Sequence, residues 1–108
     1  MAWKKLGAAD LAATTNTSVY TVPASTESIV TVSVVNREAV GTTRTIRLAV
    51  AESGTPGDED WIEYGVELDG GEVLERTGIH MDATKVLVAY ASGDDVSVVA
   101  YGNERSAS

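Results

Sequence analysis

Apolar and small polar residues alternate with a period of two in several short segments of the chain. Residues 30–34 read Val, Thr, Val, Ser, Val, and residues 46–50 place their large apolar side chains on one face. A period of two is typical of a β-strand that buries one face. The pattern recurs at residues 62–68, 73–76, 85–91 and 96–101. The predicted core residues are Val30, Val32, Val34, Ile46, Leu48, Val50, Val86 and Val88.

Turn-forming residues cluster between these runs. The clusters lie at residues 22–25, 36–41, 53–58, 69–71 and 92–95. Glycine, proline, asparagine and aspartate each favour turns. Asp69 and Gly70 predict a tight hairpin between a strand ending near Leu68 and one starting near Glu72, because glycine adopts the positive φ that a type I′ turn requires.

Residue usage favours strands over helices throughout the chain. Fifteen valines and twelve threonines occur among 108 residues, and phenylalanine is absent. β-Branched side chains suit a pleated surface, and no window of twelve residues has a helical period. These observations predict a single antiparallel β-sandwich of seven or eight strands, jelly-roll-like or Ig-like. The sandwich is expected over residues 17–103, between an extended N-terminal arm (1–16) and a polar tail (104–108).

Charge and cysteine content exclude several function classes. The net charge is −8, so the chain would repel a phosphate backbone, and nucleic-acid binding is not expected. Without cysteine there is no disulfide framework, thiolate zinc site or cysteine nucleophile. The N-terminal residues lack the apolar run of a signal peptide, and the apolar stretches are far shorter than the roughly 20 residues that span a bilayer. We expect synthesis in a cytoplasm and no membrane insertion.

No catalytic constellation is evident. His80 is the sole histidine and lacks an accompanying nucleophile motif, so it is assigned a structural or surface role. Glu63 and Glu67 are expected to point outward into solvent. The acidic runs 58–60 and 94–95 lack the Asp-x-Asp-x-Asp-Gly spacing of a calcium loop. We therefore expect no catalytic residue, no cofactor, no metal site and no enzymatic activity.

The aromatic residues carry more information. Tyr20 and Tyr90 are in phase with apolar neighbours, which predicts core positions. Trp61 and Tyr64 are three residues apart, which in a regular strand places them on opposite faces. Trp3 lies outside any strand pattern and either folds back on its own sandwich or docks on a neighbour.

The order of these segments resembles small structural proteins of tailed bacteriophages. The likeness rests on an Ala-rich opening that leads to a Tyr-Thr-Val-Pro strand and turn, here residues 6–24, LGAADLAATTNTSVYTVPA. It continues with a Val-rich strand ending in Asn-Arg (32–37, VSVVNR) and an Arg- and Ala-rich strand (46–50, IRLAV). An aromatic strand before a glycine turn, a Gly-Ile step at 78–79 and a final pair of strands follow.

The resemblance implies a non-enzymatic virion component that self-associates, most simply as a trimer, and docks on a major capsid or tail protein. The role is decoration of the capsid or a part in the head–tail or tail assembly. The alternative is a module of a tail fibre or baseplate that binds host-surface carbohydrate, with Trp61 or Tyr64 beside Asp58 and Asp60. The arm is expected to remain mobile unless its apolar side chains find a groove on a neighbouring molecule. The candidate interface residues are Trp3, Lys4, Lys5, Leu6, Leu11, Trp61 and Tyr64.

Overall fold

The computed structural model describes residues 3–107 and contains eight β-strands over that range. The strands are β1 (Lys4–Leu11), β2 (Thr17–Thr21), β3 (Thr26–Asn36), β4 (Arg44–Ala51), β5 (Trp61–Leu68), β6 (Val73–Met81), β7 (Val86–Ala91) and β8 (Val96–Ser106). A single 3₁₀ turn, Asp58–Asp60, precedes β5 within the described residues. The predicted all-β class is confirmed. No helix within residues 3–107 has the length and apolar character to cross a membrane.

The strands form two four-stranded antiparallel sheets. Sheet A has the order β1-β8-β3-β6, and sheet B has the order β2-β7-β4-β5. The first four strands pair antiparallel with the last four in reverse order: β1 with β8, β2 with β7, β3 with β6 and β4 with β5. An eight-stranded double sheet with this connectivity is a jelly roll. The jelly-roll alternative is therefore the one this chain adopts.

The main core lies between the two sheets. Val30, Val32, Val34, Ile46 and Leu48 are fully buried there, as predicted. The half-buried side chain of Val50 packs against the same cluster. The apolar strand faces therefore meet where the period of two placed them.

β7 is buried on both faces, and this reverses part of the predicted core. Its residues facing the main core are Leu87, Ala89 and Ala91. Val86 and Val88 are also buried, but they belong to a second cluster, outside sheet B. Both valines are buried, as predicted, but they lie outside sheet B and not between the sheets, because a strand buried on both sides has no polar face to fix its orientation.

The segment expected to be an arm is largely a strand of the sandwich. β1 pairs with β8 from Lys4 opposite Gly102 to Leu11 opposite Val96. Leu11 is only 2% exposed and belongs to the main core. The described part of the predicted arm is thus corrected, and only residues 1 and 2 of it lie outside the described range.

The predicted polar tail is corrected as well. β8 continues to Ser106, and Thr26 pairs with Ser106 at the end of the β3–β8 ladder. The sandwich therefore spans 4–106 rather than 17–103. The last residue of the tail, Ser108, lies outside the described range.

The Asp69-Gly70 turn is present, but it does not make a hairpin. It connects β5 in sheet B to β6 in sheet A, so the chain crosses from one sheet to the other. The Asp69 carboxylate accepts hydrogen bonds from the backbone N–H groups of Gly70 and Gly41, both at 2.8 Å. The predicted strand ends are right and the predicted pairing is wrong, because turn residues specify a change of direction and not a partner.

A polar contact joins the two sheets at one end of the sandwich. The Tyr20 hydroxyl on β2 lies 2.6 Å from the Ser28 hydroxyl on β3 and donates a hydrogen bond to Glu104 Oε2 on β8 at 2.5 Å. Lys4 Nζ forms an ion pair with Glu104 at 2.9 Å. Burial, followed by the bond to Glu104, raises the pKa of Tyr20 from 10.0 to about 12. The prediction that Tyr20 is a core residue is confirmed, with its hydroxyl used as an inter-sheet tie.

Candidate functional site

A bulge in β5 brings two aromatic side chains to one surface. Trp61 pairs with Ala49 on β4. Tyr64 pairs with Arg47, which lies on the same face of β4 as Ala49. Three steps along β5 therefore match two along β4, and the extra residue, Ile62, forms the bulge. Trp61 and Tyr64 share the outer face of sheet B, so the prediction of opposite faces, which assumed an unbroken strand, is wrong.

A second bulge lies three residues further along β5. Gly65 has a φ of +80°, a conformation that glycine adopts without steric cost. Between the bulges, Glu63 turns toward the open edge of the sandwich, where Arg76 of β6 donates to its carboxylate at 2.6 Å. The predicted outward, solvated position of Glu63 is therefore corrected to an ion pair between the sheets.

An arginine stacked between two tyrosines fixes the aromatic surface. Arg47 pairs with Tyr64 on one side and with Tyr90 of β7 on the other. Its guanidinium carbon lies 4.3 Å from the centroid of the Tyr64 ring and 4.4 Å from that of the Tyr90 ring. Each such cation–π contact contributes about 0.5–2 kcal/mol. The prediction that Tyr90 lies in the core is wrong, since its ring is half-buried against Arg47 on the outer face.

The long connection between β4 and β5 folds over the adjoining part of the same face. Beneath it lies the second apolar cluster, which consists of Ala49, Ala51, Val86 and Val88, with Trp61 packed against it. The connection reaches the opposite edge of sheet B, because a Cβ atom on Gly54 would lie 2.9 Å from Ser18 Oγ of β2. Lys85 Nζ and Glu52 Oε1, 3.1 Å apart, pair the connection with the start of β7. Trp61 is thereby held on one side by the cluster.

The end of this connection and the two aromatic rings border a shallow depression of about 370 Å³ that is open to solvent. We call it the aromatic pocket, and it is lined by Asp58, Trp61 and Tyr64. The Trp61 and Tyr64 ring centroids are 5.5 Å apart and the ring planes meet at 73°. Tyr64 is 62% exposed. The predicted candidate residues Trp61 and Tyr64 therefore lie together with Asp58, their predicted acidic neighbour.

The acidic residues of the 3₁₀ turn differ in their contacts. The Asp60 carboxylate accepts a hydrogen bond from the Gly57 backbone N–H at 2.8 Å and so is used locally. Within residues 3–107, Asp58 and Glu59 take part in none of the ion pairs. The aromatic pocket therefore has a free carboxylate at its rim.

The remaining candidate residues separate into exposed and internal ones. Trp3 is 57% exposed, and the side chains of Lys4 and Lys5 also reach solvent, Lys4 while paired with Glu104. Leu6 is partly buried against the main core. Leu11 is a core residue, so its predicted place at an interface is corrected.

The outer face of sheet A carries a second surface of interest along its two central strands. We call it the uncharged strip, because its eight outward residues bear no charge: Ile29, Thr31, Ser33 and Val35 of β3, paired with Asn103, Tyr101, Val99 and Ser97 of β8. Charged groups occur at its margins, where the Tyr101 hydroxyl donates to Glu75 at 3.2 Å. At one end a cavity of about 130 Å³ adjoins Ile29 and Asn103. Within the described residues the buried Asn103 Oδ1 has no hydrogen-bond partner.

The other titratable candidates lie outside the aromatic pocket. His80 pairs with Ile29 and therefore borders the uncharged strip. His80 is on β6, with Nδ1 3.7 Å from the Asp82 carboxylate. Asp95 contacts Glu38 and Arg37 near one end of the sandwich, where the hydrogen bond with Asp95 raises the pKa of Glu38. Over residues 3–107, no three acidic or histidine side chains converge as a metal site would require.

Comparison of the chain with protein-family models, with curated proteins and with solved structures finds no match.

Arg47 and Tyr90 belong to the candidate site but were not predicted as members of it. Arg47 occupies the polar phase of a strand whose other phase is apolar, which places it on the outer face. Its neighbours across the sheet depend on which strands pair, and that information is not local. An arginine in the middle of a strand, at an outward-facing position, is a sequence signal for aromatic side chains that stack on it from neighbouring strands.

Proposed function

We propose that the protein is a non-enzymatic structural component of a tailed-bacteriophage virion that self-associates and docks on the capsid or on the tail assembly. The observation that carries the proposal is the uncharged strip on the outer face of sheet A. In a chain with 22% charged residues and a net charge of −8, these eight positions of the outer face carry no charge, and Thr31 among them is buried by its neighbours. Depletion of charge in the centre of a patch, with a polar rim, is characteristic of protein interfaces.

Further apolar groups extend this surface. Ile29 within the strip is 47% exposed, and Val73, on the neighbouring strand β6, is 54% exposed. Trp3 precedes Lys4, which pairs with Gly102, so it enters the sheet at the end where Ile29 and Asn103 lie. Ile29 and Trp3 thus lie at one end of the strip, and Val73, opposite Val35, lies at the other. Exposed apolar groups at both ends of an uncharged surface favour its association with another protein.

The architecture and the sequence both agree with a virion role. Jelly rolls occur in viral capsid proteins as well as in lectins. The resemblance to small tailed-phage proteins spans the same strands that form the two sheets. A trimer, in which three copies surround a symmetry axis, remains the assembly we propose, with the uncharged strip facing the underlying virion protein.

The experiment introduces one charge into the strip. Ile29→Glu replaces a half-exposed side chain, so the fold is expected to survive, while docking on virions is expected to be lost. Val40→Glu is the matched control, because Val40 is 84% exposed in the β3–β4 connection and outside the strip. Occupancy is measured by labelled antibody on intact particles, isolated capsids and isolated tails, and self-association by analytical ultracentrifugation.

Equal incorporation of both variants at wild-type occupancy would refute docking through this face. Deletion of residues 1–12 is not a useful substitute, because it removes β1 and the core residue Leu11.

A further inference from the structure

The aromatic pocket lies on the outer face of sheet B, on the opposite side of the sandwich from the uncharged strip. We propose that it binds an uncharged sugar residue of a cell-surface glycan. This inference goes beyond a structural role, since a domain docked through sheet A would leave sheet B facing outward. A substitution can therefore abolish docking through the uncharged strip without affecting sugar binding at the aromatic pocket, and the reverse.

The rings of the pocket are held in place before a ligand arrives. Tyr64 is stacked on Arg47 and contacts the Trp61 ring, which itself packs against the second apolar cluster. Tyrosine and tryptophan give a large, rigid and amphipathic contact area with little loss of conformational entropy. The apolar C–H face of a pyranose is a flat group that such a surface accommodates.

The polar group at the rim suits the hydroxyls of a sugar. Asp58 lines the pocket, and within the described residues its carboxylate is in no ion pair. A carboxylate accepts hydrogen bonds from hydroxyl groups, and such charge-assisted bonds are about twice as strong as neutral ones. The aromatic side chains would thus stack on the face of a sugar ring, while Asp58 accepts hydrogen bonds from hydroxyl groups of the same sugar.

The surrounding charges select an uncharged ligand. An anionic sugar would meet Asp58 and Glu59 on a protein with a net charge of −8. A cationic group on the Tyr64 ring would meet the Arg47 guanidinium, which already lies 4.3 Å from that ring's centroid. Neither penalty applies to a neutral hexose or N-acetylhexosamine.

The test follows the two indole N–H signals in ¹H–¹⁵N NMR spectra of the full chain. A Trp3→Phe background assigns the signal of Trp61, since the chain contains two tryptophans. The probes are glucose, galactose, mannose and N-acetylglucosamine with their short oligomers, together with sialic acid and tetramethylammonium as charged probes. We expect saturable shifts of the Trp61 signal with at least one neutral sugar, at millimolar affinity, and none with the charged probes.

Two pocket variants test the assignment. Tyr64→Ala and Asp58→Asn are each expected to weaken the binding of the responding sugar by about tenfold or more. Asp82→Asn, a change to an exposed carboxylate on a different turn, is the control and should bind as the parent does. Asp58→Asn should retain the parent's thermal midpoint. Tyr64→Ala should remain folded because Tyr64 is 62% exposed, with a midpoint lowered by the loss of the contact with Arg47.

Three results would overturn the proposal: no neutral sugar shifts the Trp61 signal, the shift persists unchanged in both pocket variants, or tetramethylammonium binds more tightly than every sugar. The last would identify a site for alkylammonium groups instead. Sugar binding by an Ile29→Glu protein that no longer joins particles would separate this site from the proposed docking function.

Discussion

Removal of one hydroxyl group, by Tyr20→Phe, tests whether the two sheets are tied together across the end of the core. Phenylalanine keeps the ring and its packing, so the change isolates the polar contact. In the wild type the hydroxyl is shared between Ser28 at 2.6 Å and Glu104 at 2.5 Å. Tyr20 and Ser28 are 8% and 2% exposed, so solvent cannot easily replace the lost partner.

The expected cost can be worked out from these contacts. Ser28 would be left buried with no partner within the described residues, which costs about 1–3 kcal/mol. The bond to the Glu104 carboxylate is charge-assisted, but Glu104 keeps its ion pair with Lys4 at 2.9 Å and recovers part of the loss. We expect Tyr20→Phe to lower the free energy of unfolding by about 2–4 kcal/mol. For a domain of this size that corresponds to a fall of roughly 10–20 °C in the thermal midpoint.

Urea denaturation followed by circular dichroism at pH 7 measures the difference. Tyr101→Phe is the control, because that hydroxyl donates to the Glu75 carboxylate at 3.2 Å on the exposed face of sheet A. A change within about 0.5 kcal/mol is expected there. If Tyr20→Phe were as mild as Tyr101→Phe, the inter-sheet tie would contribute no stability and the reasoning would fail.

The raised pKa of Tyr20 supplies a second readout. Its folded-state pKa of about 12 lies above the ordinary 10.0, so its neutral form is favoured by folding. The associated stability is complete below pH 10 and is lost as the pH rises through 12. The difference in stability between the wild type and Tyr20→Phe should therefore shrink over that interval, and a constant difference would contradict the origin given for the shift.

Three further changes test other parts of the fold. Leu48→Ala, at a position with no exposed surface, should cost about 2–5 kcal/mol in urea denaturation, and wild-type stability would remove β4 from the core. Gly7→Ala should abolish or severely reduce folding, because the added Cβ would lie 2.1 Å from the Val19 carbonyl oxygen. Circular dichroism measures the loss, and a fully stable variant would show that β1 does not pack against β2. The bond from Tyr20, followed by that from Lys4, lowers the pKa of Glu104 below 4.5, so its stabilising effect is present above that pH and is lost as the pH falls through the lowered pKa. Stability curves between neutral and acidic pH should therefore be flatter for Glu104→Gln than for the wild type, and parallel curves would contradict this.

The strands themselves were predictable wherever one face is apolar and the other polar. Residues 30–34 and 46–50 are of this kind, and both their position and their buried face are confirmed. β1 was missed because its alanines, glycine and lysines have little intrinsic preference for a strand, and its place in sheet A comes from pairing with β8 at the far end of the chain. Which strands pair depends on contacts between distant residues, so the Asp69-Gly70 turn could not reveal that β5 and β6 lie in different sheets.

Part of the candidate site was also within reach of the sequence. The sequence predicted that Trp61 or Tyr64 would lie beside Asp58, and the structure places Asp58 next to both rings. Their common face was not, because a bulge has no reliable sequence signature and each one reverses the alternation that follows it. Arg47 joins the site only through sheet pairing, as the partner of Tyr64.

The pairing of β1 with β8 determines how the domain responds to a pulling force. Lys4 lies beside Gly102, so the outer ends of the first and last strands emerge at the same end of sheet A. Tension applied to the backbone before Lys4 and after Ser106 would act across the ladder, and its hydrogen bonds, which run perpendicular to the strands, would break one after another. β1 has a single neighbour in its sheet and would peel away first, as a zipper opens. The domain would therefore resist little force when it is pulled by these two ends. Compression against the outer face of sheet A would place no such force on the β1–β8 ladder.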